Sequence, residues 1–382
     1  MRRSFAAPGL QNKRACYYGP VSDLLSELTA GLEAGASDWQ YCVGQPVAFR
    51  VNGRMVTLDQ PPLTEDRARA IASAFGTSAL SIPTTPSRPA VSDPNPTDVC
   101  FRHENHLFRF HCYTAGGAFC FTLRHLPAHI PDLESLGVPP EFFRGALAAQ
   151  RGLILVTGPT GSGKSTTLAA AVDRLNQERA ALILTLEDPI EYRYQLRRSV
   201  IRQLEKGPDF LSFADALRGA LRADPDILLV GEMRDPETIA AALSAAETGH
   251  LVLATLHAAS APEAIARITG SFPASHAAEV RAQCAQLLVA VLAQQLVRGP
   301  TGKAVAAFEL LVGTPAVKHL IQDADRRFSM LANEIATGRQ SGMIAMDQSL
   351  EDLWRRGIIA RSEALRAAFN PAALEPRLRR VA

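Results

Sequence analysis

An α/β protein of two domains is the fold class that the sequence predicts, on three observations. Short apolar runs at residues 153–156, 182–184, 227–230 and 251–253 alternate with helix-compatible stretches, the pattern of a parallel sheet covered on both faces. Ahead of them lies a shorter region in which strands and helices mix, and behind them only helical periodicity remains after residue 314. The length of 382 residues exceeds one ordinary domain of about 100–200 residues.

Taken in order, residues 1–20 show no periodicity and read as a tail. Val21, Leu24, Leu25, Leu28 and Leu32 lie on one helical face that stops at Gly35, and residues 47–58 form a strand pair around Asn52-Gly53, a strong hairpin signal. A second helix fits 64–75. Five prolines between Pro83 and Pro96 exclude a central strand and mark a loop. Strands follow at 99–113, turning at Glu104-Asn105, and at 119–123 after Gly116-Gly117. The expected domains are an α+β domain over 21–127, a proline-bearing linker over 128–140, an α/β domain over 141–313 and a helical C-terminal region over 314–382.

Composition bounds the function. A chain 47% hydrophobic and 20% charged is an ordinary globular protein, which excludes collagen-like and largely disordered readings. Forty basic against 38 acidic residues leave a net charge of +2, too balanced for a dedicated nucleic-acid binder. The six cysteines, Cys16, Cys42, Cys100, Cys112, Cys120 and Cys284, include no Cys-x-x-Cys pair and read as reduced thiols of a cytoplasmic protein. The start has no apolar core of a signal peptide, and no run reaches the 18 or so apolar residues of a membrane span.

The chemistry begins at Gly158-Pro-Thr-Gly-Ser-Gly-Lys-Ser165. It satisfies G-x-x-x-x-G-K-[ST] between an apolar strand and a helix-compatible run, the context that a phosphate-binding loop requires. Gly158, Thr160, Gly161, Ser162, Gly163, Lys164, Ser165 and Thr166 are the candidate nucleotide contacts. Backbone N–H groups surround the phosphates, Lys164 reaches the β and γ phosphates, and Ser165 ligates Mg²⁺. Glu187 and Asp188 follow one apolar run and Glu232 another. In a parallel sheet such strand tips share an edge with the loop, so one carboxylate polarises water and another holds the metal. His250 and His257 bracket a further run, seven positions apart, and therefore point to opposite faces of a regular strand. His257, at the carboxyl end, is the better placed for the γ phosphate.

These four motifs, GPTGSGKST, TLEDPIEY, DPDILLVGEMRDPET and AAETGHLVLATLH, occur in order, and together they resemble the type II/IV secretion ATPase superfamily, most closely its pilus retraction motors. The resemblance covers about residues 21–370. It implies a PAS-like N-terminal domain, a RecA-like P-loop ATPase domain with a helical cap, a homo-hexameric ring, and ATP with Mg²⁺ as ligands. It assigns Glu232, Glu187 and His257 to catalysis and Ser165, Glu187 and Asp188 to the metal. Arg109 and Arg124 match N-terminal-domain arginines that reach the nucleotide in relatives, and His250 occupies the family's histidine box, as a nucleotide contact or a structural histidine. The implied partner is an inner-membrane platform protein of a pilus or secretion system, with the ring peripheral to that membrane. His111 and Trp39-Gln40 depart from the family pattern, which leaves conjugal transfer or type IVB secretion as an alternative to pilus retraction. Arg218 and Arg222, four apart on one helix, read as solvated or subunit-facing charges. A RecA-like nucleic-acid motor, from a different class, would require basic or aromatic-rich loops, and a small-molecule kinase would need an acceptor motif that the sequence does not show.

Overall fold

The computed structural model describes residues 20–51, 54–74, 98–103, 106–126, 129–300, 302–323 and 328–379. The expected N-terminal tail up to residue 19, the Asn52-Gly53 and Glu104-Asn105 turns and the proline-rich segment 83–96 lie outside the described residues. The chain divides into two compact units, residues 1–128 and 129–382.

The first unit contains α1 (Pro20–Glu33), β1 (Ala36–Cys42), β2 (Ala48–Val51), β3 (Arg54–Thr57), α2 (Glu65–Ala74), β4 (Asp98–His103), β5 (His106–Ala115) and β6 (Ala118–Leu126). These strands form a sheet in the order β3-β2-β1-β6-β5-β4, antiparallel at every pairing. Period-two alternation sends Trp39, Tyr41, Phe49, Phe108, Phe110, Phe121 and Leu123 to one face. There they bury Leu24 and Leu28 of α1 and Ala68 and Ile71 of α2. Strand β1 is absent from the sequence reading because the irregularity between Ala36 and Asp38 leaves its alternation short. Trp39 is nevertheless fully buried, its Nε1 donating to Glu27 O at 3.1 Å.

The second unit contains α3 (Pro140–Arg144), β7 (Gly152–Thr157), α4 (Lys164–Glu178), β8 (Leu182–Glu187), β9 (Val200–Glu205), α5 (Phe213–Ala220), β10 (Ile227–Val230), α6 (Pro236–Glu247), β11 (Leu251–Leu256), α7 (Ala261–Gly270), α8 (Ala274–Leu287), β12 (Leu288–Arg298) and β13 (Ala304–Val312). Helices α9 (Pro315–Gln322), α10 (Phe328–Thr337), α11 (Met346–Arg355), α12 (Arg361–Ala367) and α13 (Pro371–Leu374) follow. The sheet order is β13-β12-β7-β11-β10-β8-β9. Pairings are parallel except for the β12–β13 hairpin. One face packs on α4 through Leu168, Val172 and Leu175, with Ile154, Val156, Leu229 and Leu253 from the strands. The other packs on α5 to α8, and α9 and α10 join that layer through Val317, Ile321, Leu331 and Ile335.

Two features go beyond the sequence reading. Within the stretch read as a linker, Leu133 and Val138 are buried in the α4-side core. Strands β9, β12 and β13 add to the four expected ones. β12 runs on from α8 with no turn residue between Leu287 and Leu288, so periodicity alone does not separate them, and β9 is an edge strand with alternating exposure.

Gly31 occupies the last turn of α1, where a Cβ would stand 2.5 Å from Trp39 Cε2. Helix propensity alone makes Gly→Ala favourable by about 1 kcal/mol. Overpacking against a rigid, buried indole should reverse that sign by about 1–3 kcal/mol. Thermal melts of Gly31→Ala should therefore show the first unit destabilised; a raised Tm would mean that the ring yields without penalty.

Candidate active site

The carboxyl ends of β7, β8, β10 and β11 lie on one edge of the sheet, because these strands run parallel and in register. At that edge β7 ends in Thr157. Its Oγ1 lies 3.0 Å from Leu256 O and 2.8 Å from Ala258 O and accepts from Ala258 N at 3.0 Å, which ties the loop's base to the His257 segment. The chain then turns through Gly158, Gly161 and Gly163, all at positive φ. At Gly158 the turn leaves no room for a side chain: a Cβ would meet Ser162 Oγ at 2.6 Å. Lys164 opens α4, whose first turn carries no acidic residue, so its N–H groups keep their positive end for an anion.

Lys164 is buried. Its Nζ donates to Gly158 O at 2.8 Å and Pro159 O at 3.0 Å and lies 3.5 Å from His257 Nδ1. Burial pulls its pKa below the ordinary lysine value, against the attraction of Glu232 and Glu191. The other ring nitrogen of His257, Nε2, lies 2.8 Å from Glu232 Oε1, which also takes Arg234 Nε at 2.6 Å. Lys164, His257 and Glu232 thus form one connected chain across three strand tips. The carboxylate in turn raises the pKa of Arg234, by hydrogen bonding and charge.

A second chain reaches Thr166, in the same first turn of α4. Glu187 Oε1 accepts from Thr185 Oγ1 at 2.7 Å and Gln203 Nε2 at 3.0 Å. Gln203 Nε2 also donates to Tyr192 O at 2.8 Å, and Tyr192 Oη sits 2.8 Å from Thr166 Oγ1. Burial raises the Glu187 pKa, with the two donors opposing it. Asp188 turns instead to Lys206, 2.9 Å away at the surface. Thr160 and Ser165 are exposed at the mouth of the loop.

Other candidates lie elsewhere. His250 stands at the amino end of β11, the sheet edge opposite the loop, with Nδ1 2.8 Å from Ala245 O and 3.2 Å from Thr248 Oγ1. It is therefore withdrawn from the nucleotide site of its own chain, since the six residues of β11 separate the two edges. Arg109 and Arg124 belong to the first unit, directly opposite each other on β5 and β6. Arg124 Nε donates to Asp38 Oδ1 at 2.8 Å, and Arg50 Nε lies 3.5 Å from the other oxygen of that carboxylate. Arg218 pairs with Asp215 at 2.7 Å.

Several site residues carry no motif that a sequence reading recognises. Gln294 of β12 is buried, and its Nε2 donates to Ser162 O at 2.6 Å, bracing the loop from behind. Arg267 donates to His257 O. A cleft of about 690 Å³ opens beside the loop, lined among others by Thr160, Glu232, Arg234, His257, Arg267 and Phe369. Glu309 of β13 is buried, with Oε1 accepting from Ala261 N at the start of α7 at 2.8 Å and a second backbone bond from Met346 at the start of α11. It joins the His257 segment to the C-terminal helices.

The loop fits a phosphate-bearing ligand on its own evidence. Ser162 Oγ is buried without a hydrogen-bond partner among the described residues, the space over Gly161 is open, and the Lys164 ammonium is held mainly by backbone carbonyls.

The family profile described as "Type II/IV secretion system protein" matches residues 45–346. The chain belongs to that family. Among type II/IV secretion system relatives, the "Twitching motility protein" of Neisseria gonorrhoeae is 40% identical over 90% of this chain and 89% of its own length. The "Type IV pilus retractation ATPase PilT" of Pseudomonas aeruginosa is 39% identical over 91% of this chain and 99% of its own. The solved structure of the pilus retraction motor PilT with bound ADP superposes with a TM-score of 0.80 at 36% identity, covering 92% of this chain and 99% of that one.

Burial raises the Glu309 pKa from 4.5 to about 7. A carboxyl whose folded pKa is raised contributes stability in full below its unfolded pKa and loses it as pH rises through the folded value. Glu309→Gln, which stays neutral, should therefore gain on the wild type between pH 4.5 and 7 by on the order of 3 kcal/mol. Urea unfolding of both proteins at pH 5 and pH 8 checks this; a pH-independent gap between them would mean that Glu309 does not titrate in this range.

Proposed function

We propose that this protein is an ATP-hydrolysing motor of the type II/IV secretion family that works as a homo-hexamer to power type IV pilus retraction. The observation that carries the reading is the linked trio Lys164, His257 and Glu232 at the carboxyl edge of the sheet. The near full-length likeness to retraction ATPases favours retraction over the transfer and secretion branches. On this reading the first unit is a PAS-like domain over 21–127, the stretch 128–140 connects it to a RecA-like domain over 141–313, and 314–382 forms a helical cap. The partner is an inner-membrane platform protein, with the ring on its cytoplasmic side. Among the described residues no helix is long and apolar enough to cross a membrane.

The chemistry follows from the residues. An arriving phosphate replaces the Gly158 and Pro159 carbonyls on Lys164 Nζ, and a neutralised charge replaces two dipoles. The N–H groups of the loop and of α4 take the remaining phosphate oxygens. Glu232, in reach of the γ position through His257, orients and polarises the attacking water. Bound Mg²⁺ would supply positive charge to the phosphate oxygens; Ser165 would hold it, with Glu187, or Asp188 once exchanged from Lys206, acting through water. Gln203 and Tyr192 keep the Glu187 carboxylate in register with α4.

Binding and turnover should separate. Lys164→Ala should abolish ATP hydrolysis and weaken nucleotide binding, whereas Glu232→Gln should bind ATP with near wild-type affinity and hydrolyse it on the order of a hundredfold more slowly. Phosphate-release assays and equilibrium binding on the two variants check this. Wild-type turnover in either variant, or equal loss of binding and turnover in Glu232→Gln, would refute the assignment.

A further inference from the structure

In the first unit, Cys42 and Cys120 face each other across β1 and β6, on the sheet face that carries Asp38 and Arg124 and four residues further along the same strands. The neighbouring pair is backbone-bonded, with Val43 N donating to Phe119 O at 3.0 Å. In an antiparallel ladder bonded and non-bonded pairs alternate, so Cys42 and Cys120 form a non-hydrogen-bonded pair, the kind in which opposing Cα atoms approach to about 4.5 Å and side chains lie closest. A disulfide accepts Cα separations of about 4.4–6.8 Å. Both are free thiols, and the Cys120 Sγ–H donates to Cys42 Sγ at 2.9 Å.

We propose that Cys42 and Cys120 are an oxidation site that a peroxide converts into a cross-strand disulfide, stapling β1 to β6. The two thiols differ in environment. Cys42 is half-buried, while Cys120 is 2% exposed, and burial, with the Cys42 contact adding to it, pushes the Cys120 thiol up to about 12. Cys42 is therefore the group that meets the oxidant and Cys120 the one that resolves. In the first step the Cys42 thiolate attacks a peroxide oxygen: the S–O bond forms, the O–O bond breaks, and hydroxide leaves, giving a sulfenic acid. In the second, the Cys120 sulfur attacks Cys42 Sγ: the S–S bond forms, the S–O bond breaks, and the departing hydroxide takes the Cys120 proton as water. Two thiols lose two electrons to one peroxide, which ends as two waters.

The staple joins positions 78 residues apart and encloses β2 to β5 and α2. Closing so long a loop restricts the unfolded chain strongly, so oxidation should stabilise this unit against heat while leaving its backbone pairing intact.

The test uses the full-length chain exposed to stoichiometric hydrogen peroxide, then denatured, alkylated and mapped by mass spectrometry beside a reduced control. The expected result is one linked peptide pair joining Cys42 to Cys120, two hydrogens lighter than the reduced pair and restored by dithiothreitol. The first unit should melt about 5 °C or more higher when oxidised. Cys42→Ser should lose both the link and the shift while melting like the reduced wild type. Cys112, buried on the opposite face among the phenylalanines, is the internal control. Peroxide treatment that leaves Cys42 and Cys120 alkylatable, takes Cys42 to sulfinic acid without a link, or links other cysteines overturns the proposal.

Discussion

A buried ammonium governs the second unit. Lys164 sits at the start of α4 where burial disfavours its charge, and the fold answers with two carbonyls of its own loop and the nearby carboxylates. Both carbonyls belong to the turn that the motif's glycines permit, so the loop is braced by the same cation that would receive the phosphates. The cost of preorganising the site is met in advance, by dipoles that a phosphate oxygen readily outcompetes.

Everything else at the sheet edge is arranged around that cation. Parallel pairing delivers Thr157, Glu187, Glu232 and His257 to one edge without any local instruction beyond the length of each strand. Thr157 locks the end of β7 to the segment after β11, and Gln294 closes the loop from β12. Glu309 extends the network to the C-terminal helices, joining the start of α7 with the start of α11.

Much of this was legible in the sequence because it rests on local chemistry. The phosphate loop, the acids after β8 and β10 and the histidine after β11 follow from motif and strand order alone, and the helices beyond residue 314 follow from period. What was not legible depends on tertiary placement. Gln294 and Glu309 sit in strands that periodicity did not separate from α8 or did not register, so their contacts had no signal. His250 has the residue type of a site group but stands at the sheet edge opposite its own chain's loop, a distinction that appears only when β11 is given its direction. Asp188 follows a strand as Glu187 does, yet it faces Lys206 at the surface. In the first unit, β1 went unread although Trp39 and Tyr41 alternate with Asp38 and Gln40, because the irregularity between Ala36 and Asp38 leaves that alternation short.

The central claim is that Lys164 trades backbone carbonyls for phosphate. Selective ¹³C labelling of lysine side chains, with the Lys164 resonance assigned by substitution, follows its titration directly by NMR. Without nucleotide it should lose its proton below the ordinary lysine value of 10.5, in the direction set by burial; with saturating ATP on the Glu232→Gln chain, phosphate charge should move that titration upward, past the ordinary value. A titration unchanged by saturating nucleotide would contradict the account, because the charge on which the site is built would then not be meeting its ligand.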